Sequence, residues 1–339
     1  MKVAVLAPVA WRTPPRHYGP WEQVSSNIAE GLLAAGHDVT LFATADSVTS
    51  GKLDAVVERG YEEVRLQDAK VVECLHISNL MEKASGFDII HNNYDFLPLT
   101  YSALIKTPLI TTIHGFSSEK IIPVYQKYNT NTHYVSISNA NRIPQLNYLA
   151  TVYNGIRTAD FAFCKNPEDY LLYLGRIHPD KGTAEAIEIA DKSKRRLIIA
   201  GIIQDQTYFE EKIKPFLNDR ISFIGEAGPE KRNELLGKAT ALLHPINFDE
   251  PFGLSVAEAM MCGTPVVAFN RGSMPELILP GKTGFLVNSV NEAVESVQEI
   301  KKIKRHDCHT WSLNQFSQAK MVQGYLKAYE QILNGPSNL

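Results

Sequence analysis

The sequence predicts an α/β protein made of two doubly wound parallel sheets that face each other across a cleft. Three observations predict it. Short apolar runs alternate with amphipathic stretches from Lys2 onward, and the same alternation restarts at Tyr170. The chain has 339 residues, enough for two domains of ordinary size. Its 44% hydrophobic and 21% charged residues match a globular protein rather than a disordered or fibrous one.

Taken in order, Lys2 to Ala7 is an apolar run suited to a buried first strand. A loop rich in Pro and Arg runs on to Pro20. Trp21, Val24, Ile28, Leu32 and Ala35 then recur at helical spacing, and Gly36 stands where a helix C-cap belongs. Val39 to Ala43 is the next strand. Strand, helix and strand in so short a span make a βαβ unit, which is parallel and right-handed. Ile89-Ile90-His91, Leu109 to Ile113 and Tyr134 to Ile137 extend the sheet.

The second series has strands at Tyr170 to Leu174, Arg196 to Ala200, Ile221 to Ile224, Ala241 to His244 and Pro265 to Phe269. Helices are expected at Ala184 to Ala190, at Glu230 to Ala239, and from Gly253. Asn154-Gly155 gives a turn signal before an irregular stretch to Phe163, so the boundary falls there. The expected domains are residues 1–157 and 158–313. Residues 314–339 then hold a last helix, from Asn314 to Leu333, that packs back on the first domain.

Several classes of function are excluded at this level. With 34 Lys and Arg against 37 Asp and Glu, the net charge is −3, and no basic excess exists to hold a nucleic acid. A membrane span needs about 18 consecutive apolar residues, and no window comes near that. The N-terminal run is too short for a secretory signal. Cys74, Cys164, Cys262 and Cys308 lie far apart with no Cys-x-x-Cys, against a zinc module or a disulfide framework and in keeping with a reducing cytoplasm. The run Lys301-Lys302-Ile303-Lys304-Arg305 reads as a solvated helix face in preference to a lipid contact.

Two stretches carry the candidate chemistry. Asp249-Glu250-Pro251-Phe252-Gly253-Leu254-Ser255-Val256-Ala257-Glu258 leaves a buried strand and opens a helix. Gly253 lets the backbone approach a ligand, and the first-turn N–H groups attract an anion. Glu258, four residues after Leu254, lies on the same face one turn deeper, where it can meet the sugar hydroxyls of a phosphate-bound ligand. Equally, an acid at a helix start can serve only the helix dipole. In the second stretch, Leu174-Gly175-Arg176-Ile177-His178-Pro179-Asp180-Lys181-Gly182, Arg176 and Lys181 are expected on one exposed loop at the strand end. A guanidinium and an ammonium there suit a diphosphate, or are simply solvated.

With these go Asn154-Gly155-Ile156, Gly263-Thr264-Pro265-Val266-Val267-Ala268, Pro275-Glu276-Leu277-Ile278 and Gly281-Lys282-Thr283-Gly284-Phe285-Leu286-Val287. Phe316-Ser317, Met321, Tyr325 and Tyr329 complete the set. In this order the motifs resemble the retaining glycosyltransferases of group 1 (family 4), which have the GT-B fold of two Rossmann-like domains. The Glu250 and Glu258 pair, seven residues apart, matches that family's signature. The loop Pro14-Pro15-Arg16-His17-Tyr18-Gly19-Pro20-Trp21-Glu22 is similar to the small bacterial subgroup typified by the avilamycin-pathway enzyme.

The resemblance implies a nucleotide-sugar donor, UDP being the commonest base, and an acceptor that the sequence does not name. It implies that Arg176, Lys181, Gly253, Leu254 and Gly19 bind the donor diphosphate, and that Glu258 binds the ribose. Glu250, Phe252 and Gly253 meet the donor sugar, and His114 and Glu250 are the catalytic-site residues. Arg12, Arg16, His17 and Tyr18 in the first loop are acceptor candidates. His114, in Thr111-Thr112-Ile113-His114-Gly115, otherwise reads as a structural histidine at a strand end.

Three positions depart from the family pattern. Pro20 follows Gly19 where a second Gly is common, which removes one backbone N–H. Arg157 stands where Asp usually follows the Asn-Gly-Ile turn, and Arg271-Gly272-Ser273 where a Gly pair is common. No Asp-x-Asp occurs, so no metal and no other cofactor is expected, and positive groups would neutralise the diphosphate. The resemblance implies front-face departure and attack, without an enzyme nucleophile. Another GT-B enzyme, such as a nucleotide-sugar epimerase or a phosphorylase, or a non-catalytic nucleotide-sugar-binding protein, is the alternative. A dinucleotide oxidoreductase is disfavoured, because Gly-x-Gly-x-x-Gly is missing after the first strand.

Overall fold

A computed structural model describes residues 1–64, 68–116 and 118–335. Contacts divide the chain into two units, Met1–Gly155 together with Gln318–Leu339, and Ile156–Ser317. In chain order the first unit contains β1 (Lys2–Leu6), α1 (Pro20–Ala34), β2 (Asp38–Phe42), β3 (Lys52–Asp54), α2 (Ala69–Glu82), β4 (Ile89–Asn92), β5 (Leu109–Ile113), α3 (Ile122–Lys127), β6 (His133–Ser136) and β7 (Tyr148–Thr151). The second contains β8 (Leu171–Leu174), α4 (Thr183–Lys192), β9 (Leu197–Ala200), α5 (Gln206–Tyr208), β10 (Ile221–Phe223), α6 (Pro229–Lys238), β11 (Ala241–His244) and α7 (Leu254–Met261). It ends with β12 (Val266–Phe269), α8 (Met274–Leu277), β13 (Gly284–Val287), α9 (Val290–Glu299) and α10 (Arg305–Phe316). The last helix, α11 (Gln318–Asn334), belongs to the first unit.

Both units are doubly wound α/β folds. Their strand orders are β3-β2-β1-β4-β5-β6-β7 and β10-β9-β8-β11-β12-β13. Every pairing is parallel. The central strands are buried on both sides, which is why they read as continuous apolar runs instead of alternating ones. In each sheet the winding reverses once, between β1 and β4 and between β8 and β11. At such a switch the two flanking loops diverge to opposite faces and leave a crevice at the carboxyl ends of the strands.

Among the elements that the sequence reading leaves out, three have weak patterns. Strand β3 is a three-residue edge with two exposed residues, and every residue of edge strand β7 is half-buried. Helix α10 buries Cys308, Ser312 and Phe316 at four-residue spacing, a stripe with only one large apolar side chain. For that reason the expected helix from Asn314 is corrected: Asn314 lies in the last turn of one helix, which ends at Phe316, and a second begins at Gln318. Ser317 between them is extended, at φ −72° and ψ 151°, and forms a bridge with Ile156. Ile156 N also donates to Phe316 O at 2.8 Å, which pulls the backbone out of the helical path. Residues 336–339 of the expected terminal stretch lie outside the described residues.

The basic run 301–305 is also corrected. Lys301, Lys302 and Lys304 are exposed, but Arg305 turns inward. Its guanidinium donates to Cys164 O at 2.7 Å, to Ala239 O at 2.9 Å, to Thr264 Oγ1 at 2.7 Å and to Gly237 O. It thereby satisfies carbonyls at the C-terminal end of α6, where a cation is favoured.

Helix α11 is fixed to the first unit by a buried polar node. His91 shares hydrogen bonds with Tyr329 OH at 2.6 Å and Thr112 Oγ1 at 2.8 Å, and Thr112 pairs with Tyr325 OH at 2.9 Å. Gln318 Nε2 donates to Asn27 O at 2.7 Å. Burial pushes the His91 imidazole down to about 3, so the ring is neutral and each nitrogen has a distinct role. Tyr329→Phe should leave His91 Nδ1 buried without a partner and lower the unfolding free energy by about 1–3 kcal/mol. Urea titration of the two proteins checks this; equal midpoints would show that the node does not hold the helix.

Candidate functional site

In the second unit the two chemistry-bearing stretches are the loops that flank the β8/β11 switch. They are stitched together. Asn247 N donates to Asp180 O at 2.7 Å, and Asn247 Nδ2 to Pro179 O at 3.2 Å. Gly182 has φ 72°, and a Cβ there would lie 1.8 Å from Pro245 O, so only glycine permits the approach. The result is an ion pair across the loops: Lys181 Nζ meets Glu250 Oε2 at 2.6 Å, with side chains 16% and 13% exposed. Lys181 also lies 4.4 Å from the centre of the Phe248 ring. The expectation that both basic residues sit on an exposed loop therefore fails for Lys181. Arg176 remains at the surface, where it donates to Gln204.

A third loop braces Glu250 from behind. Ser273 N donates to Glu250 O at 2.9 Å and Ser273 Oγ to Phe252 O at 2.7 Å. Gly272 (φ 54°) brings its Cα against the Glu250 backbone; a Cβ would lie 2.4 Å from Glu250 N. The Arg271-Gly272-Ser273 departure thus keeps the glycine that the approach needs and adds a hydroxyl donor. Phe252 is buried against Phe316, with ring centres 5.7 Å apart, so its backbone and not its ring faces any ligand. Gly253 precedes Leu254, the first residue of α7, and no side chain caps that helix start. Leu254 and Ser255 there carry first-turn N–H groups, which have no partner within the helix and are of the kind that attract an anion.

Glu258 lies deeper on α7, buried, and paired with Arg232 of α6. Burial raises the Glu258 carboxyl above its ordinary range, and the guanidinium opposes that shift. His244, at the end of β11, has Nε2 3.9 Å from Glu250 Oε2; burial pushes its ring down to about 4. Among the described residues no group of three His, Cys, Asp or Glu side chains could hold a metal ion.

In the first unit His114 follows β5 and is 7% exposed. It stacks on Trp21 of α1, with ring centres 5.7 Å apart, and its Nε2 bonds Asn93 Oδ1 at 3.0 Å. Among the described residues its Nδ1 and Asn93 Nδ2 are buried with no hydrogen-bond partner. Burial pushes the His114 ring down to about 3, so it is neutral at physiological pH.

The first loop is held mainly by the segments after β2 and β3. Arg12 donates to Asp46 O at 2.7 Å and Pro14 O at 3.2 Å, and Arg16 pairs with Asp46 and Glu63 at 3.0 Å each. Both arginines therefore brace the loop. Tyr18 packs edge-on against Trp11, and His17 is exposed. Gly19 caps α1 beside Glu22, whose carboxyl accepts from Trp11 N at 3.2 Å and is pushed up to about 7 by burial.

Sequence reasoning missed Arg232, His244 and Asn93. A usable signal existed for Asn93, since His91-Asn92-Asn93 is a polar run at the end of an apolar strand. Arg232 sits on a helix with mostly charged exposed positions and carries no such mark.

The family model for glycosyl transferases group 1 matches residues 159–332, and that for glycosyltransferase family 4 matches residues 22–158. Glycogen synthase of Mycobacterium tuberculosis is 25% identical over 334 residues, covering 81% of this chain and 80% of that protein. AviGT4, a glycosyltransferase involved in avilamycin A biosynthesis, superposes with a TM-score of 0.75 at 23% identity, over 99% of this chain and 98% of its own. HepE of Anabaena, in complex with UDP and glucose, superposes at 0.74 and 19% identity, over 96% and 98%. These superpositions share the GT-B fold with the chain.

The ion pair and the surface arginine should respond differently to truncation. Lys181→Ala leaves the Glu250 carboxylate enclosed without its cation and should cost about 1–3 kcal/mol of stability, whereas Arg176→Ala should stay within about 0.5 kcal/mol. Adding Glu250→Gln to Lys181→Ala should recover most of the loss. Thermal melts of the four proteins check this; equal melting temperatures would show that the pair carries no structural weight.

Proposed function

The chain belongs to the group 1 glycosyl transferases, and we propose that it is a retaining, metal-independent hexosyltransferase that takes its sugar from a UDP-sugar. The observation that carries this reading is the Lys181–Glu250 ion pair beside the start of α7. A cation and the positive end of a helix together suit a diphosphate leaving group. That HepE has been seen with UDP and glucose supports the choice of donor.

In this reading Lys181, Arg176 and the N–H groups of Leu254 and Ser255 hold the diphosphate, and Glu258 accepts from the ribose. The bond from the anomeric carbon to the phosphate oxygen breaks as the acceptor oxygen attacks the same face. The acceptor's proton passes to the departing phosphate oxygen. No carboxylate is assigned as nucleophile: Glu250, already held by Lys181, positions the sugar. His114 is neutral and can hydrogen-bond a sugar hydroxyl without supplying a proton. The four cysteines are free thiols, in keeping with a reducing cytoplasm.

A thermal-shift screen with UDP-, GDP-, ADP- and dTDP-sugars tests the donor. A ligand at a hundred times its dissociation constant adds about 2.7 kcal/mol of stability, and the UDP-sugar should give the largest shift. Turnover of that donor should survive excess EDTA; loss of activity restored by magnesium or manganese would overturn metal independence.

The carboxylates and the histidine should separate kinetically. Glu258→Gln should weaken nucleotide binding, while Glu250→Gln and His114→Ala should lower kcat about a hundred- to a thousandfold. Near-normal kcat in both of the latter, with a melting temperature lowered only in His114→Ala, would reduce them to structural residues.

A further inference from the structure

Arg232 is unused by the reaction above. It stands on α6 with its side chain one-third exposed, and its Nη2 donates to Glu258 Oε2, whose side chain is 6% exposed. Among the described residues its Nε is buried without a hydrogen-bond partner, and its guanidinium pairs with Glu258. Among the described residues no hydrogen bond reaches Glu258 Oε1. The other charged and titratable groups near this carboxyl cannot replace the guanidinium. Asp160 acts in the same sense as burial and favours the neutral acid. The Cys262 thiol, pushed up to about 12, carries no charge. Arg305 spends its donors on Cys164, Ala239, Gly237 and Thr264.

The ionisation state matters for what the site can recognise. A ribose offers hydroxyl donors, and a carboxylate accepts at both oxygens, whereas a neutral carboxyl turns one oxygen into a donor. We propose that Arg232 is a positioning residue of the nucleotide site, holding Glu258 as a carboxylate with Oε2 engaged and Oε1 left to accept from a ribose hydroxyl of a nucleoside diphosphate. This rests on the assignment of Glu258 to the ribose.

The test uses the whole protein and calorimetric titration with UDP, GDP and ADP, followed by the 2′-deoxy form of whichever binds most tightly. The ratio of ribo- to deoxy-nucleotide affinity is measured from pH 5.5 to 8. In the native protein the ratio should be about tenfold. In Arg232→Gln and Arg232→Met nothing opposes the effect of burial on Glu258, so its protonation moves to higher pH. Ribonucleotide binding needs the ionised form, and the ratio should therefore fall toward one as the pH drops and recover at pH 8. Arg232→Lys, which keeps the charge, should follow the native profile.

Two variants are used so that a folding defect in one leaves the other to decide. A ratio in Arg232→Gln or Arg232→Met that tracks the native one at every pH overturns the proposal. Glu258→Gln separates the two levels: if it abolishes the ratio, the ribose assignment stands whatever Arg232 does. If Glu258→Gln leaves the ratio intact, or none of the three nucleotides binds, the ribose assignment fails and the proposal with it.

Discussion

Parallel pairing throughout both sheets is the constraint on which the other features depend. Parallel strands cannot be joined by tight turns, so each connection is a crossover, and every strand-to-helix loop leaves from the same edge of its sheet. Where the winding reverses, the loops after β8 and β11 become neighbours although some seventy residues separate Lys181 from Glu250. The candidate site lies there because the topology leaves those loops uncovered by a crossover helix. The fold thus decides where a site can be before any particular side chain decides what the site does.

Within that crevice, close backbone approach takes precedence over side-chain choice. Gly182 meets Pro245 and Gly272 meets Glu250 at distances no Cβ would tolerate. Ser273 then ties down the carbonyls of Glu250 and Phe252. With three loops fixed in this way, a flexible lysine and a glutamate are held in one enclosed ion pair with little side-chain freedom left.

Much of this was legible in the sequence, and what was not has physical causes. The central strands announced themselves because burial on both faces demands unbroken apolar runs; edge strands β3 and β7, half-solvated, had no such demand to meet. Glu250, Glu258, Arg176 and Lys181 stood out through glycine-marked strand-to-helix junctions. The partners they choose are long-range facts. Nothing in Pro229–Lys238 distinguishes Arg232 from its charged neighbours, because its role depends on which face of α6 packs on α7. Arg305 looked like one more lysine-like surface charge, yet five polar atoms converge on its guanidinium. Charge in a sequence shows that a group is ionised, and only the fold shows whether it is solvated.

The backbone pairing of Ile156 with Phe316 and Ser317 has a consequence for how the two units share the chain. The first and last residues of the second unit are hydrogen-bonded neighbours, so the stretch 156–317 enters and leaves at one spot. Helix α11 resumes the first unit immediately afterwards, at Gln318. The second unit is therefore an insertion in the first, placed between strand β7 and the helix α11 that completes the first unit.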